Sequence, residues 1–108
     1  MLFALLVTYG DQPPSEELMQ AHRQWLYPQY ERGSFVFSGV LEAIDGRPRP
    51  ALALIEADDI AAARALVDTE PFYRAGACTH EVIPFAPHVR TTGLDERLGD
   101  GLVVIERS

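Results

Sequence analysis

The chain predicts an α+β fold of the ferredoxin-like kind, in the order β-α-β-β-α-β. A four-stranded antiparallel sheet is expected to carry both helices on one face. Three observations predict it. Residues 2–8 are a continuous apolar run with Val and Phe, as in an interior strand. Two segments with helical spacing of apolar residues follow, one starting near Ser15 and one near Asp58. Between them and after them lie three further runs of strand length, the first two joined by a connection containing the turn dipeptide Asp45-Gly46.

Each element has a local reason. Tyr9 to Pro14 ends the first strand, and Ser15 reads as a helix N-cap, with Glu16 and Glu17 in the first turn where the helix dipole favours acids. The helix is expected to run to Arg32, with Gly33 as its stop. Pro28 removes the hydrogen bond to the Gln24 carbonyl and clashes with that turn, which predicts a kink or two shorter helices. Residues 34–41 form the second strand and 51–56 the third. Asp58 is the expected cap of the second helix, whose apolar face is Ile60, Ala63, Leu66 and Val67. Glu70 to Gly76 reads as a short turn of helix closed by glycine, and residues 79–85 as the fourth strand, with Pro84 marking an edge or bulge.

Helices on one face leave the other bare. Phe35, Phe37 and the first strand carry enough apolar surface that a cover is needed, most simply a second copy, so a homodimer through the open sheet face is expected. The domain so built spans residues 1–85. Residues 86–108 are a C-terminal extension in which Leu102-Val103-Val104-Ile105 signals an extra strand, 102–107, free to join an edge of its own or its partner's sheet.

The 108 residues suffice for one domain with a modest core. A net charge of −7 with no basic cluster argues against nucleic acid as a partner. All nine basic residues are Arg, and the absence of Lys excludes Schiff-base chemistry and a Walker-type phosphate loop. The apolar N-terminus lacks a basic flank and is too short to span a bilayer, so no membrane partner and a cytoplasmic location are expected. The single cysteine, Cys78, has no local feature to activate it and reads as a buried thiol. His22, His80 and His88 lack ligand spacing, so no metal site is expected. His80 reads as an edge-exposed residue and His88 as a solvated one.

His22 is the exception. Leu18, Met19, Trp25 and Leu26 surround it at helical spacing, which aims a titratable ring at the core or at a pocket. Left unpaired there, it would cost about 1–3 kcal/mol. Its partner is either a backbone carbonyl of the core or an acid in the loop after the second strand. That loop offers Asp45 and Glu42. Ser38 can donate to a ligand or satisfy backbone, while Trp25 and Tyr27 either line a pocket or belong to the core.

The chain resembles the YCII-related (YciI-like) family. The resemblance rests on the histidine of the first helix, on Phe37-Ser38-Gly39-Val40-Leu41-Glu42-Ala43-Ile44-Asp45-Gly46, and on Glu70-Pro71-Phe72-Tyr73-Arg74-Ala75-Gly76 leading to Val82-Ile83-Pro84-Phe85. It implies a dimeric α/β-barrel and a His–acid pair, with His22 matching the histidine and Asp45 best matching the acid. Val40 stands where proline is usual, and Glu42 is an extra acid. A similar domain acts as a dehydrochlorinase on a chlorinated hydroxyquinol-type ring. The expectation is a cofactor-independent enzyme in which His22 and Asp45 (or Glu42) perform acid–base elimination, isomerisation or hydrolysis on a small molecule, cyclic and aromatic ones included. Its pocket is expected between the first helix and the sheet, near the dimer interface. The alternatives are a binding or accessory module without chemistry, and a cofactorless monooxygenase of the same barrel type.

Overall fold

A computed structural model of the chain describes residues 1–42, 45–46 and 50–108. Its elements are β1 (Leu2–Tyr9), α1 (Glu16–Arg32), β2 (Phe35–Val40), β3 (Pro50–Glu56), α2 (Ile60–Val67), α3 (Pro71–Arg74), β4 (Cys78–Phe85) and α4 (Leu94–Arg97). The sheet is antiparallel, in the order β2-β3-β1-β4, which makes β1 and β3 the interior strands. The expected α+β fold is the observed one, and Pro84 does fall on an edge strand.

The pleat sorts side chains between the two faces of the sheet. Phe3 and Leu5 of β1, Ala53 and Ile55 of β3 and Val82 of β4 are buried on the helix side with Ala63 and Val67 of α2. Trp25, Leu26 and Tyr30 of α1 pack against this cluster. The opposite face has no helix. There Phe37, Leu54, Ala4 and Ile83 stand in register across all four strands, and Leu6 of the central strand follows beside Leu52. Phe37, Leu6 and Ile83 are each more than a third exposed.

A bulge in β2 corrects one expectation about this open face. Phe35 pairs with Ile55 and Phe37 with the adjacent Leu54, so Val36 is the extra residue. Strict alternation would have put both phenylalanines on one face. The bulge instead sends Phe35 into the core, 5% exposed, and leaves Phe37 on the open side. It also turns Ser38 to the helix side, opposite Ala53.

Three local expectations are also corrected. Helix α1 runs unbroken from Glu16 to Arg32 with Pro28 inside it, so it is not divided into two shorter helices; Pro28 and Gln24 are both exposed. Gly33 ends it with φ 84° as anticipated. The cap of α2 is Asp59, not Asp58: its side chain accepts from the Ala62 N–H at 2.8 Å. Residues 102–107 form no strand. Val103 and Val104 are 74% and 84% exposed. The segment is instead tied to the end of α1, where the Ser108 N–H donates to the Glu31 carbonyl at 2.9 Å and the Arg107 guanidinium lies over Gly33. Apolar β-branched composition signals strand propensity, but a ladder needs a free edge at the right place, and here the helix end takes the segment.

Candidate active site

A cavity of about 170 Å³ lies between α1, α3 and the helix side of the sheet. Leu5, Val7, Leu26, Phe35 and Phe72 supply apolar wall, and His22, Glu70, Ser38, Cys78 and His80 are the polar groups that border it. His22 reaches it because the middle of α1 presents one face to the core, as the spacing of its apolar residues requires.

The carboxylate that meets His22 is Glu70. Nδ1 of His22 and Oε1 of Glu70 are 2.6 Å apart, with the two side chains 22% and 13% exposed. The imidazole also stacks on Phe72, its ring centroid 4.2 Å away and the planes 15° apart. Glu70 is the N-cap of α3: Oε2 accepts the Tyr73 N–H at 2.9 Å, and Pro71 opens the helix where its missing N–H is harmless. One carboxylate thus holds the ring with one oxygen and starts a helix with the other.

Burial pushes the Glu70 carboxyl upward, but hydrogen bonds from His22 and from the Phe72 and Tyr73 backbone, with the attraction of His22, outweigh it and lower its pKa. Glu70 is therefore ionised near neutrality and can only accept. It follows that His22 carries its proton on Nδ1 and leaves Nε2 with the free lone pair when the ring is neutral. A carboxyl whose pKa is lowered on folding contributes stability above its unfolded pKa and loses it as pH falls through the folded value. Urea unfolding should show wild type more stable than Glu70→Gln at pH 7, with the gap closing below about pH 4.

The structure does not bring the expected acids to His22. Asp45 is exposed in a tight turn with φ 54°, followed by Gly46 at φ 71°. Glu42 is exposed beyond the end of β2. Glu70, by contrast, opens a helix that packs on α1. Ser38 does border the cavity, and its Oγ is hydrogen-bonded to the Tyr30 hydroxyl. Burial raises the Tyr30 pKa, against the opposing effect of the Ser38 hydrogen bond, so the phenol stays neutral. Trp25 lines the cavity and donates from Nε1 to Thr69 Oγ1 at 3.0 Å. Tyr27 is 39% exposed and does not line it.

Two residues gain importance over their sequence reading. Glu70 was legible as part of Glu70-Pro71-Phe72, an acid placed to cap a helix before proline, yet nothing in the linear order links it to a histidine 48 positions away. His80 is not edge-exposed. Its side chain is 9% exposed on the helix side of β4, bonded through Nε2 to Asp68 Oδ1 at 2.9 Å and stacked on Tyr73 with ring centroids 4.0 Å apart.

Cys78 is buried as expected. Burial first, and the nearby Glu70 charge second, push its thiol up to about 11. The thiol is protonated near neutrality and is no nucleophile. Iodoacetamide at pH 7.5 should label Cys78 far more slowly in the folded protein than in urea, and Glu70→Gln should speed the folded-state reaction.

Among the described residues there is no group of three His, Cys, Asp or Glu side chains able to hold a metal ion. No helix among them is long and apolar enough to cross a membrane.

Comparison with known proteins agrees with this architecture. The family model for the YCII-related domain matches residues 1–86. Among solved structures, the chain is similar to 5-chloro-2-hydroxyhydroquinone dehydrochlorinase from Burkholderia phenoliruptrix AC1100, in complex with 2,5-dihydroxybenzoquinone. Identity is 18% and the TM-score 0.58, covering 80% of this chain and 94% of that one. It is also similar to Rv0793 from Mycobacterium tuberculosis, with 12% identity and a TM-score of 0.52 over 83% of this chain and 100% of that one. A mutant of SnoaB, a cofactor-independent oxygenase from Streptomyces nogalater, gives 20% identity and a TM-score of 0.48 over 85% and 95%. Among curated proteins no significant match is found.

Proposed function

The chain belongs to the YCII-related domain family, and on that premise we propose that it is a small cofactor-independent enzyme. His22 serves as its general base and acid on a small hydroxylated ring. The observation that carries the reading is the His22–Glu70 pair on the wall of a largely apolar cavity. With Nδ1–H donated to an ionised carboxylate, Nε2 is the atom that removes a proton, and Glu70 stabilises the imidazolium that results. Expulsion of a leaving group or return of the proton at another atom completes an elimination or an isomerisation.

The size of the cavity supports a ring-sized substrate. Apolar cavities of about 150 Å³ accept benzene, and this one measures about 170 Å³. Ser38, which borders the cavity and is held by the Tyr30 hydroxyl, can meet a ring oxygen. A binding module without chemistry would need no carboxylate on the histidine, and the Glu70 contact favours the enzyme.

The bare sheet face supports the dimeric arrangement: two copies placed face to face bury the Phe37–Leu54–Ala4–Ile83 row of each. The test is a screen of chlorinated and hydroxylated benzenes, starting with 5-chloro-2-hydroxyhydroquinone, following chloride release, ring absorbance and oxygen uptake. Cofactor-free turnover without oxygen uptake supports the reading. Oxygen uptake with a quinol would replace it by a monooxygenase, and turnover unchanged in His22→Ala would overturn it.

A further inference from the structure

The segment Asp68 to Tyr73 builds two histidine sites, not one. Asp68 bonds His80, and two residues on, Glu70 bonds His22. Phe72 stacks on His22, and its neighbour Tyr73 stacks on His80 at 4.0 Å. Both imidazoles border the same cavity. They differ in their connection to water. Glu70 is 13% exposed, whereas Asp68 is 54% exposed and stands with Arg64, Tyr73, His80 and Glu81 on a separate outer groove. His80 borders both spaces, cavity and groove.

We propose that His80 is a second proton-exchanging residue of this cavity, acting on the ligand opposite in sense to His22, with Asp68 as its positioning residue. The inference rests on the reading of His22 given above and extends it. Asp68 accepts the Nε2–H of His80 and so assigns Nδ1 to the ligand; among the described residues Nδ1 has no other hydrogen bond. When His22 Nε2 removes a proton, the bonding electron pair stays on the ligand. Protonated His80 then delivers a proton from Nδ1 to the ligand oxygen or leaving group that gathers that charge. The ligand neither gains nor loses net charge. After release, His22 returns its proton to water and His80 takes one up. A single histidine must do both jobs in turn; two on one cavity do them together.

The probe is 4-nitrocatechol, a small hydroxylated ring, added to the ¹⁵N-histidine-labelled full chain at fixed pH. In wild type, the ring nitrogens of both His22 and His80 should shift on binding. His80→Gln should weaken binding by about tenfold, the loss of one hydrogen bond, while the His22 resonances still respond. In Asp68→Asn the shift that the bound ring induces at His80 Nδ1 should shrink while the His22 response persists; an aspartate that only supports the fold would leave the ligand-induced His80 response unchanged. A His22 response with a silent His80 in wild type overturns this inference and leaves the function of His22 standing. Silence at both rings overturns the reading on which it rests. The wild-type measurement decides even where His80→Gln does not fold.

Discussion

On the proposed role, His22→Gln is expected to lower kcat by about 10²–10⁴-fold, the usual contribution of a positioned general acid or base, while KM changes much less. Glutamine fills similar space on α1 and can still donate to Glu70, so the fold and the cavity wall persist. What is lost is the lone pair at Nε2. Glu70→Gln is expected to be comparably damaging. An amide in place of the carboxylate can donate to Nδ1, which favours the opposite tautomer and removes the counter-charge for the imidazolium; an orienting carboxylate exchanged for its amide has cost about 10⁴-fold in a serine protease. Steady-state kinetics on the compound found by the screen, with melting temperatures alongside, check both. Loss of stability with unchanged kcat would make His22 a packing residue.

Leu6→Arg should abolish the proposed face-to-face dimer. Leu6 lies on the central strand of the open face, 36% exposed in the single protomer and flanked by Leu52 on the neighbouring strand. Two-fold symmetry places two copies of any substitution in the same interface. A buried, unpaired charge costs several kcal/mol, so association should weaken by at least about a thousandfold in Kd, leaving a monomer at micromolar protein. Sedimentation velocity reads the outcome. Thr79→Arg, on the same face but at the exposed edge strand, should disturb the dimer less. A wild type that sediments as a monomer would remove the face-to-face arrangement.

Much of the fold was readable from short-range chemistry. The β1 run, Ser15 as a cap, Gly33 in the left-handed region and the Asp45-Gly46 turn are all dictated by residues within a few positions of one another. The errors share a different cause. Phe35 and Phe37 were separated by a bulge, which adds one residue without any mark in the hydrophobic pattern. The tail's apolar run has strand composition, but its placement depends on which surface meets it. The site was half legible for the same reason. His22 declared itself through its four apolar neighbours on one helix. Its acid comes from another element, whereas the resemblance and the loop after the second strand point to Asp45, with Glu42 as the extra acid. In the sequence Glu70 reads as the beginning of a helix, which is what one of its oxygens does.

That double duty at Glu70 limits how the site can vary. The oxygen on the Tyr73 amide and the oxygen on His22 belong to one carboxylate, so the charge state of the ring is mechanically continuous with the first turn of α3. Amide hydrogen exchange at Tyr73 becomes a remote gauge of what happens at the imidazole, slowing when a bound ring holds His22 in place. The same arrangement makes position 70 intolerant of retuning. A replacement that takes away both side-chain oxygens, such as Glu70→Ala, removes the partner of His22 and the cap of α3 together, and with the cap the seat of Phe72 beside the ring. Adaptation of this cavity to a new substrate is therefore expected to proceed through the opposite wall, at Ser38, Val40 and Ala51, where no side chain bonds to His22 or caps α3.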